Sequence, residues 1–110
     1  MLNRELNAAT TRPAVLAILA EGENYGYEII QRVLELSDHQ IVWSEGALYP
    51  MLHRLEKDGL IESEWRQSDS GRKRKYYRLK ADGKKQLAED QRQWSLANAL
   101  LTRLWNPSYA

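Results

Sequence analysis

The strongest chemical bias in this chain lies between positions 66 and 85. That stretch holds nine Arg and Lys against Asp69 and Asp82, a local charge of +7 in a 110-residue chain of net charge +1. Residues 1–65 carry five basic side chains against eleven acidic ones, and residues 86–110 balance. A nearly neutral chain with one concentrated cationic segment is not a bulk polycation. It points to one local anionic partner, with nucleic acid the first candidate. A solvated hairpin tip is the alternative reading. Arg72, Lys73, Arg74 and Lys75 are consecutive and are expected to bind phosphate, since point charges on a turn carry little sequence information.

Other chemistries find little support. The chain has no Cys, which excludes disulfides, thiolate metal sites and a Cys nucleophile. Its two histidines, His39 and His53, are fourteen apart with no clustered carboxylate or thiol, so no metal site is expected. There is no Gly-rich phosphate loop, and no Ser/His/Asp arrangement stands out. No catalytic residue, cofactor or enzyme activity is therefore predicted. With 43% apolar and 28% charged residues, the chain is not expected to be disordered. No apolar run approaches the roughly 18–20 residues of a membrane span, and residues 2–7 do not read as a secretory signal, so a cytoplasmic protein without membrane contact is expected. A single core of this size gains stability from a partner subunit.

The elements that must position the cationic stretch follow from periodicity. Ala14 to Ala20 is continuously apolar, and its Ala and Leu favour a helix covered on several sides. Leu2 and Leu6 are four apart, so a helical arm is expected before Pro13; whether it is continuous with the next segment is open. Gly22 ends this helix and Asn24 is read as the N-cap of a second, Tyr25 to Ser37, with Ile29, Ile30, Val33 and Leu34 at helical spacing. Ile41–Trp43 is at most a bridging strand. Ser44 caps a third helix, 44–58, whose Leu48, Leu52 and Leu55 form an apolar stripe and whose end is set by Asp58-Gly59. The period then becomes two: Ile61, Ser63 and Trp65 on one face, a Ser68–Gly71 turn, and a return strand with Tyr77 and Leu79 inward. A final helix from Ala81 to Leu104, ended by Asn106-Pro107, carries a seven-residue stripe of Leu87, Trp94 and Leu101, with Ala97 and Leu104 between. At about 36 Å it is longer than a small domain can cover.

Three helices followed by a basic hairpin are the arrangement of a winged helix-turn-helix. The expected fold is therefore α+β, mainly α with a small β-hairpin. A DNA-binding unit would occupy residues 1–80, a dimerisation helix 81–106, and a tail 107–110. A helix fits the major groove of B-DNA, and a hairpin beside it can reach the backbone or the adjacent minor groove. On the third helix, the side opposite the apolar stripe presents Gly46, Pro50, His53, Arg54 and Lys57, flanked by Ala47 and Tyr49. Small near the start and cationic further along, that face suits insertion into a groove. Pro50 crowds the carbonyl of Gly46, the most permissive backbone available, so the two read as a matched pair that loosens the helix start. His53 and Arg54 are placed for base or phosphate contact. Ser44 is an N-cap that can also meet phosphate; Tyr49 either shields the core edge or touches the backbone. Tyr25 and Tyr27 open the second helix, where free amides face phosphate. Trp43 could support the third helix, and Trp65 and Trp105 read as packing residues.

Four segments carry a resemblance: Asn24-Tyr-Gly-Tyr-Glu-Ile29, Ser44-Glu-Gly-Ala-Leu-Tyr-Pro50, Arg54-Leu-Glu-Lys-Asp-Gly-Leu-Ile61 and Gly71-Arg-Lys-Arg-Lys-Tyr-Tyr-Arg-Leu79. In this order and spacing, over about residues 14–104, the chain resembles the PadR family of bacterial transcriptional regulators. Its short C-terminal part is similar to the compact subfamily of multidrug-sensing repressors. The resemblance implies a homodimer on a roughly palindromic double-stranded DNA operator, usually as a repressor, with residues 44–58 in the major groove and 66–78 as the wing. It also implies that the last helix packs on the partner's first and last helices, which assigns Leu2, Leu6, Val15, Ile18, Leu87, Trp94, Ala97, Leu101 and Leu104 to the interface. In the compact subfamily a Trp at the position of Trp94 stacks on flat aromatic drugs, so Trp94 and Asn98 become candidates for a planar inducer; a core aromatic in the dimer seam is the other reading of Trp94. Two departures concern helix ends: Lys80 stands where the family has a capping Thr, and Pro13 interrupts the first helix. A winged protein-interaction module without DNA binding is the alternative function.

Overall fold

Asn3 starts the first helix by accepting the Leu6 N–H on its side-chain oxygen at 2.9 Å, a favoured N-cap contact. In the computed structural model, which describes residues 2–106 and 108, this helix (α1, Arg4–Glu21) continues through Pro13. The expected arm and the apolar segment are thus one element. It ends at Gly22, whose N–H closes on the Leu19 carbonyl at 3.2 Å.

The next turn corrects the sequence reading. Asn24 does not cap a helix. Asn24–Tyr25 is a two-residue strand, β1, and the second helix (α2, Gly26–Leu36) begins after it with no side-chain cap. The reason is tertiary. A strand edge is available alongside, and Asn24 and Tyr25 pair with Tyr77 and Tyr76 on it. The backbone takes these sheet hydrogen bonds in place of a local cap, and Asn24 Oδ1 accepts the Tyr25 N–H at 2.9 Å. Ile41–Trp43, expected to bridge, forms no strand. Trp43 is instead buried, its indole N–H donating to Asn7 Oδ1 at 3.3 Å, so it ties α1 to the loop entering the third helix.

That helix (α3, Glu45–Lys57) runs through Pro50 and is capped as expected: Ser44 Oγ accepts the Ala47 N–H at 3.1 Å. Leu48, Leu52 and Leu55 are fully buried. Gly59 takes φ +76°, the left-handed position that Gly occupies without steric cost, and the Leu60 N–H reaches back to the Leu55 carbonyl at 3.0 Å. Strands β2 (Ile61–Gln67) and β3 (Lys73–Leu79) form the hairpin, with β3 central in a three-stranded antiparallel sheet of order β1-β3-β2. Two hydrophobic layers meet in the core: Val15, Leu16, Ile18 and Leu19 of α1 against Ile29, Ile30 and Val33 of α2, the α3 stripe, Ile61 and Tyr77.

The last helix (α4, Ala81–Trp105) docks only by its first half. Gly83 lies so close to the turn after α3 that a Cβ there would fall 2.1 Å from the Leu60 carbonyl oxygen and 2.6 Å from Leu79 Cδ1. Two turns on, Asp90 is 5% exposed. It accepts Arg12 Nη2 at 2.7 Å and Gln86 Nε2 at 2.9 Å on Oδ1, and Arg12 Nε at 3.1 Å on Oδ2. Beyond Asp90 every described residue of α4 is exposed, and the molecule is 59 Å long against 30 and 21 Å in its other extents. Among the described residues no helix is long and apolar enough to cross a membrane.

These positions revise several expectations. Val15 and Ile18, assigned to a partner's surface, are buried in the chain's own core, and Leu87 packs against that core; α2, β3 and the start of α4 already cover them. Leu2 is half-buried, and Leu6, Trp94, Ala97, Leu101 and Leu104 are exposed. Trp65 and Trp105, read as packing residues, are 67% and 76% exposed, because β2 and α4 both run past the edge of the core. Within the expected tail of 107–110, Pro107, Tyr109 and Ala110 lie outside the described residues, and Pro107 as a helix stop lies there with them.

Two stability predictions follow from how α4 docks. Helix propensity alone makes Gly83→Ala stabilising by about 1 kcal/mol. A backbone carbonyl in the path of the new methyl reverses the sign, and the variant should lose about 1–3 kcal/mol in urea unfolding. For Asp90, burial pushes the carboxyl up, but hydrogen bonds from Arg12 and Gln86 together with the Arg12 charge outweigh it, and the group titrates below its usual value. A carboxylate depressed in the folded state adds stability above its unfolded pKa of about 3.9 and loses it as pH falls through the lower folded value. Asp90→Asn should lower the thermal midpoint at pH 7 and remove part of the decline that wild type shows below about pH 4.

Candidate nucleic-acid interface

The chain enters α2 from the sheet, and this local geometry builds the site. Because β1 pairs with β3, the first turn of α2 is held beside the strand that carries the wing's cations. Gly26 permits the close approach: a Cβ on it would lie 2.6 Å from Tyr49 Oη, so the Tyr49 ring rests where any larger residue would project. Tyr49 on α3, Gly26 and Tyr27 on α2, and the hairpin then enclose a groove of about 690 Å³. Its walls include Tyr25, Glu45, Trp65, Arg72, Lys73, Arg74 and Lys75.

Seven of the residues singled out in the sequence (Tyr25, Tyr27, Tyr49, Arg72, Lys73, Arg74 and Lys75) share this groove. Ser44, Ala47, Pro50 and His53 are exposed along α3 and do not line it. Arg54 lies elsewhere. It borders a cavity of about 320 Å³ between α1, α3 and α4, together with Arg12, Met51, Asp58, Asp90 and Trp94. Asn98 is exposed on α4 and does not line that cavity.

The basic residues of the wing are not equivalent. Arg66 donates to both oxygens of Glu23, at 2.5 and 2.8 Å, and to Glu64 through Nε at 2.6 Å. Its hydrogen bonds to these two acids hold the Arg66 guanidinium well above its ordinary pKa. Arg78 donates to Glu62 at 2.7 Å and lies 3.6 Å from Glu64. Lys75 sits 3.9 Å from Glu56 and over the Trp65 and Tyr77 rings. Burial, with Glu56 adding to it, pushes the Tyr77 phenol up to about 12. Among the described residues, Arg72, Lys73 and Arg74 make no ion pair with the chain's own acids. Within the hairpin, the charge available to an outside anion is therefore narrower than its basic residues suggest and is concentrated at the far end; Lys80, Lys84 and Lys85, exposed at the start of α4, also make no ion pair among the described residues.

Sequence reasoning missed Trp65 and Glu45 as groove residues. Alternation put Trp65 on the Ile61 face, which is right, but where the core stops along that face depends on tertiary packing. Glu45 lies within the Ser44–Pro50 segment with nothing local to mark it as facing the wing.

Helices α1–α3 with a small sheet, whose hairpin presents cations without acidic partners beside the start of α2 and the flank of α3, make a winged-helix protein. The PadR-like family of transcriptional regulators matches residues 15–89, and the chain belongs to that family. It is 45% identical over 89 residues to the transcriptional regulator Rv3488 of Mycobacterium tuberculosis, covering 81% of this chain and 79% of that one. A transcriptional regulator from Clostridium thermocellum superposes with a TM-score of 0.85 at 28% identity, covering 94% of this chain and 97% of the other. A PadR-like transcriptional regulator from Bacillus cereus gives 0.81 at 31% identity, with coverage of 94% and 98%.

Proposed function

We propose that this transcriptional regulator binds double-stranded DNA as a homodimer, represses from a roughly palindromic operator, and is released by a planar small molecule. The observation that carries DNA binding is the groove whose walls bring Arg72, Lys73 and Arg74, which among the described residues have no acidic partner, together with Tyr27 at the start of α2 and Tyr49 on α3. The exposed side of α3, with Ala47, Pro50 and His53, is the element for the major groove, and the hairpin is the wing on the phosphates. Residues 1–80 would form the DNA-binding unit and 81–106 the dimerisation helix.

Support for the dimer comes from the far half of α4. Leu96, Leu100, Leu101, Leu104 and Trp105 are all exposed there, a long apolar surface that a monomer leaves in water. Support for the ligand comes from Trp94, half-exposed beside a cavity that also touches Met51 and Arg54 of α3. A planar molecule stacking on Trp94 would meet the helix that carries the DNA and the helix that carries the partner. It could release the operator only by binding better to a dimer with a different α3-to-α3 spacing.

A mobility shift with duplex from upstream of the chain's own gene tests DNA binding. Contacts to about 6–10 phosphates make affinity fall roughly 10³–10⁵-fold between 50 and 200 mM salt, with half-sites about 34 Å or a multiple apart. Neutralising Arg72, Lys73 and Arg74 together to Gln should flatten that dependence by about 0.9 in slope for each contact removed. Salt-insensitive or sequence-indifferent binding would overturn the reading. For the dimer, Leu100→Glu with Leu104→Glu should give monomers in sedimentation velocity with unchanged helix content, since both side chains are exposed in the single chain; a persisting dimer would place the contact elsewhere.

A further inference from the structure

The outer face of the sheet, away from the core, carries a continuous chain of contacts that ends at one cation. The β2–β3 register sets Arg66 directly opposite Arg74 and Glu64 opposite Tyr76, and β1 sets Tyr25 against Tyr76. Like charges directly opposed across a pair of strands repel, so two arginines here need an arrangement that separates them. Arg66 is drawn toward the α1–β1 turn by Glu23 and held along its own strand by Glu64. Its guanidinium carbon lies 4.8 Å from the centre of the Tyr76 ring. Tyr76 meets Tyr25 edge to face, with centroids 5.4 Å apart at 67°. The Arg74 guanidinium lies over the Tyr25 ring at 4.6 Å, and among the described residues it has no acidic partner.

The Tyr25 hydroxyl faces the wrong way for a phosphate. It donates to Glu28 Oε1 at 3.2 Å, so an anion approaching that oxygen would meet a carboxylate. Its ring, in contrast, is a surface on which a guanidinium rests. A long side chain gives up rotamer freedom when it is fixed on a phosphate, and one already held over a ring gives up less. We propose that Tyr25 is a positioning residue: its ring aims Arg74 at a phosphate of the duplex. Arg66, neutralised by Glu23 and Glu64, is the anchor that leaves Arg74 the one outward cation of the opposed pair. The assignment rests on the DNA-binding reading and changes the part Tyr25 plays in it from direct contact to support.

The test is a double-mutant cycle read by fluorescence anisotropy on a random-sequence 30-base-pair duplex across a salt series. Tyr25→Phe keeps the ring and should bind as wild type. Tyr25→Leu should weaken binding about 2- to 5-fold per wing, the range of an exposed cation–π contact. Arg74→Gln should lower the salt slope by about 0.9 per wing, and adding Tyr25→Leu to it should cost nothing more. Arg66→Gln combined with Glu23→Gln, which removes the cation together with its counter-charge, should leave the slope unchanged. Tyr25→Ile, suited to a strand, replaces the Leu variant if that one melts early. Equal losses for Phe and Leu would mean the hydroxyl touches DNA, losses at Tyr25 and Arg74 that multiply would mean they act independently, and a lowered slope for the combined Arg66→Gln and Glu23→Gln variant would mean Arg66 holds phosphate. Each of these overturns the assignment while leaving DNA binding intact. A folded wild type that binds no duplex at 50 mM salt overturns the DNA-binding reading and the assignment with it.

Discussion

The pairing of two residues, Asn24 and Tyr25, with the centre of β3 is the constraint on which the rest of the arrangement depends. A two-stranded hairpin on its own is marginally stable and free to swing. Here its inner strand is hydrogen-bonded on both sides, to β2 along its length and to the segment that leads directly into α2. The wing's direction is thereby fixed relative to the start of α2. Through Gly26 and the Tyr49 ring lying on it, it is also fixed relative to α3. A surface that must meet several phosphates at once needs its charges at set distances, and this pairing sets them.

The same pairing explains why so many acids sit beside a basic wing. Glu23, Glu62 and Glu64 lower the local positive charge, which looks unfavourable for binding an anion. Yet they hold Arg66, which the register sets directly opposite Arg74, and Arg78, which it sets opposite Glu62. Exposed ion pairs contribute little stability one by one. Their effect here is on direction: cations further from the groove are tied down, and Arg72, Lys73 and Arg74, toward the hairpin's far end, stay available.

Local rules made much of this legible before any coordinates. The Ser44 cap, the Leu48/Leu52/Leu55 stripe, the left-handed Gly59 and the alternation from Ile61 to Trp65 each follow from interactions within a few residues, and the structure shows each of them. What the sequence hid was long-range. Asn24 has the chemistry of a cap and is taken by a strand edge some fifty residues away. Val15 and Ile18 look like an excess of apolar surface until α2 and β3 cover them. Trp65 follows the period of its strand correctly but outruns the core. Of the candidate site, the groove's cations were evident from composition, whereas their unequal pairing depended on where Glu23 falls in space.

The remaining asymmetry is in α4, and it bears on how a signal could travel. Its first half is locked by Gly83 under the Leu60 carbonyl and by the Arg12–Asp90 pair; beyond Asp90 every described residue is exposed. The changeover falls at Trp94, one turn past Asp90. Pro13, next to Arg12, leaves the Ala9 carbonyl without its helical donor, and both residues border the cavity that Trp94 closes. A group bound there would press on the last firmly docked turn of α4, where a small rotation is carried along the remaining 11 residues to Trp105. At about 1.5 Å of rise per residue that lever is roughly 16 Å long. In the proposed dimer, a tilt too small to disturb the core would then move a partner held at its end by ångströms, and with it the partner's α3.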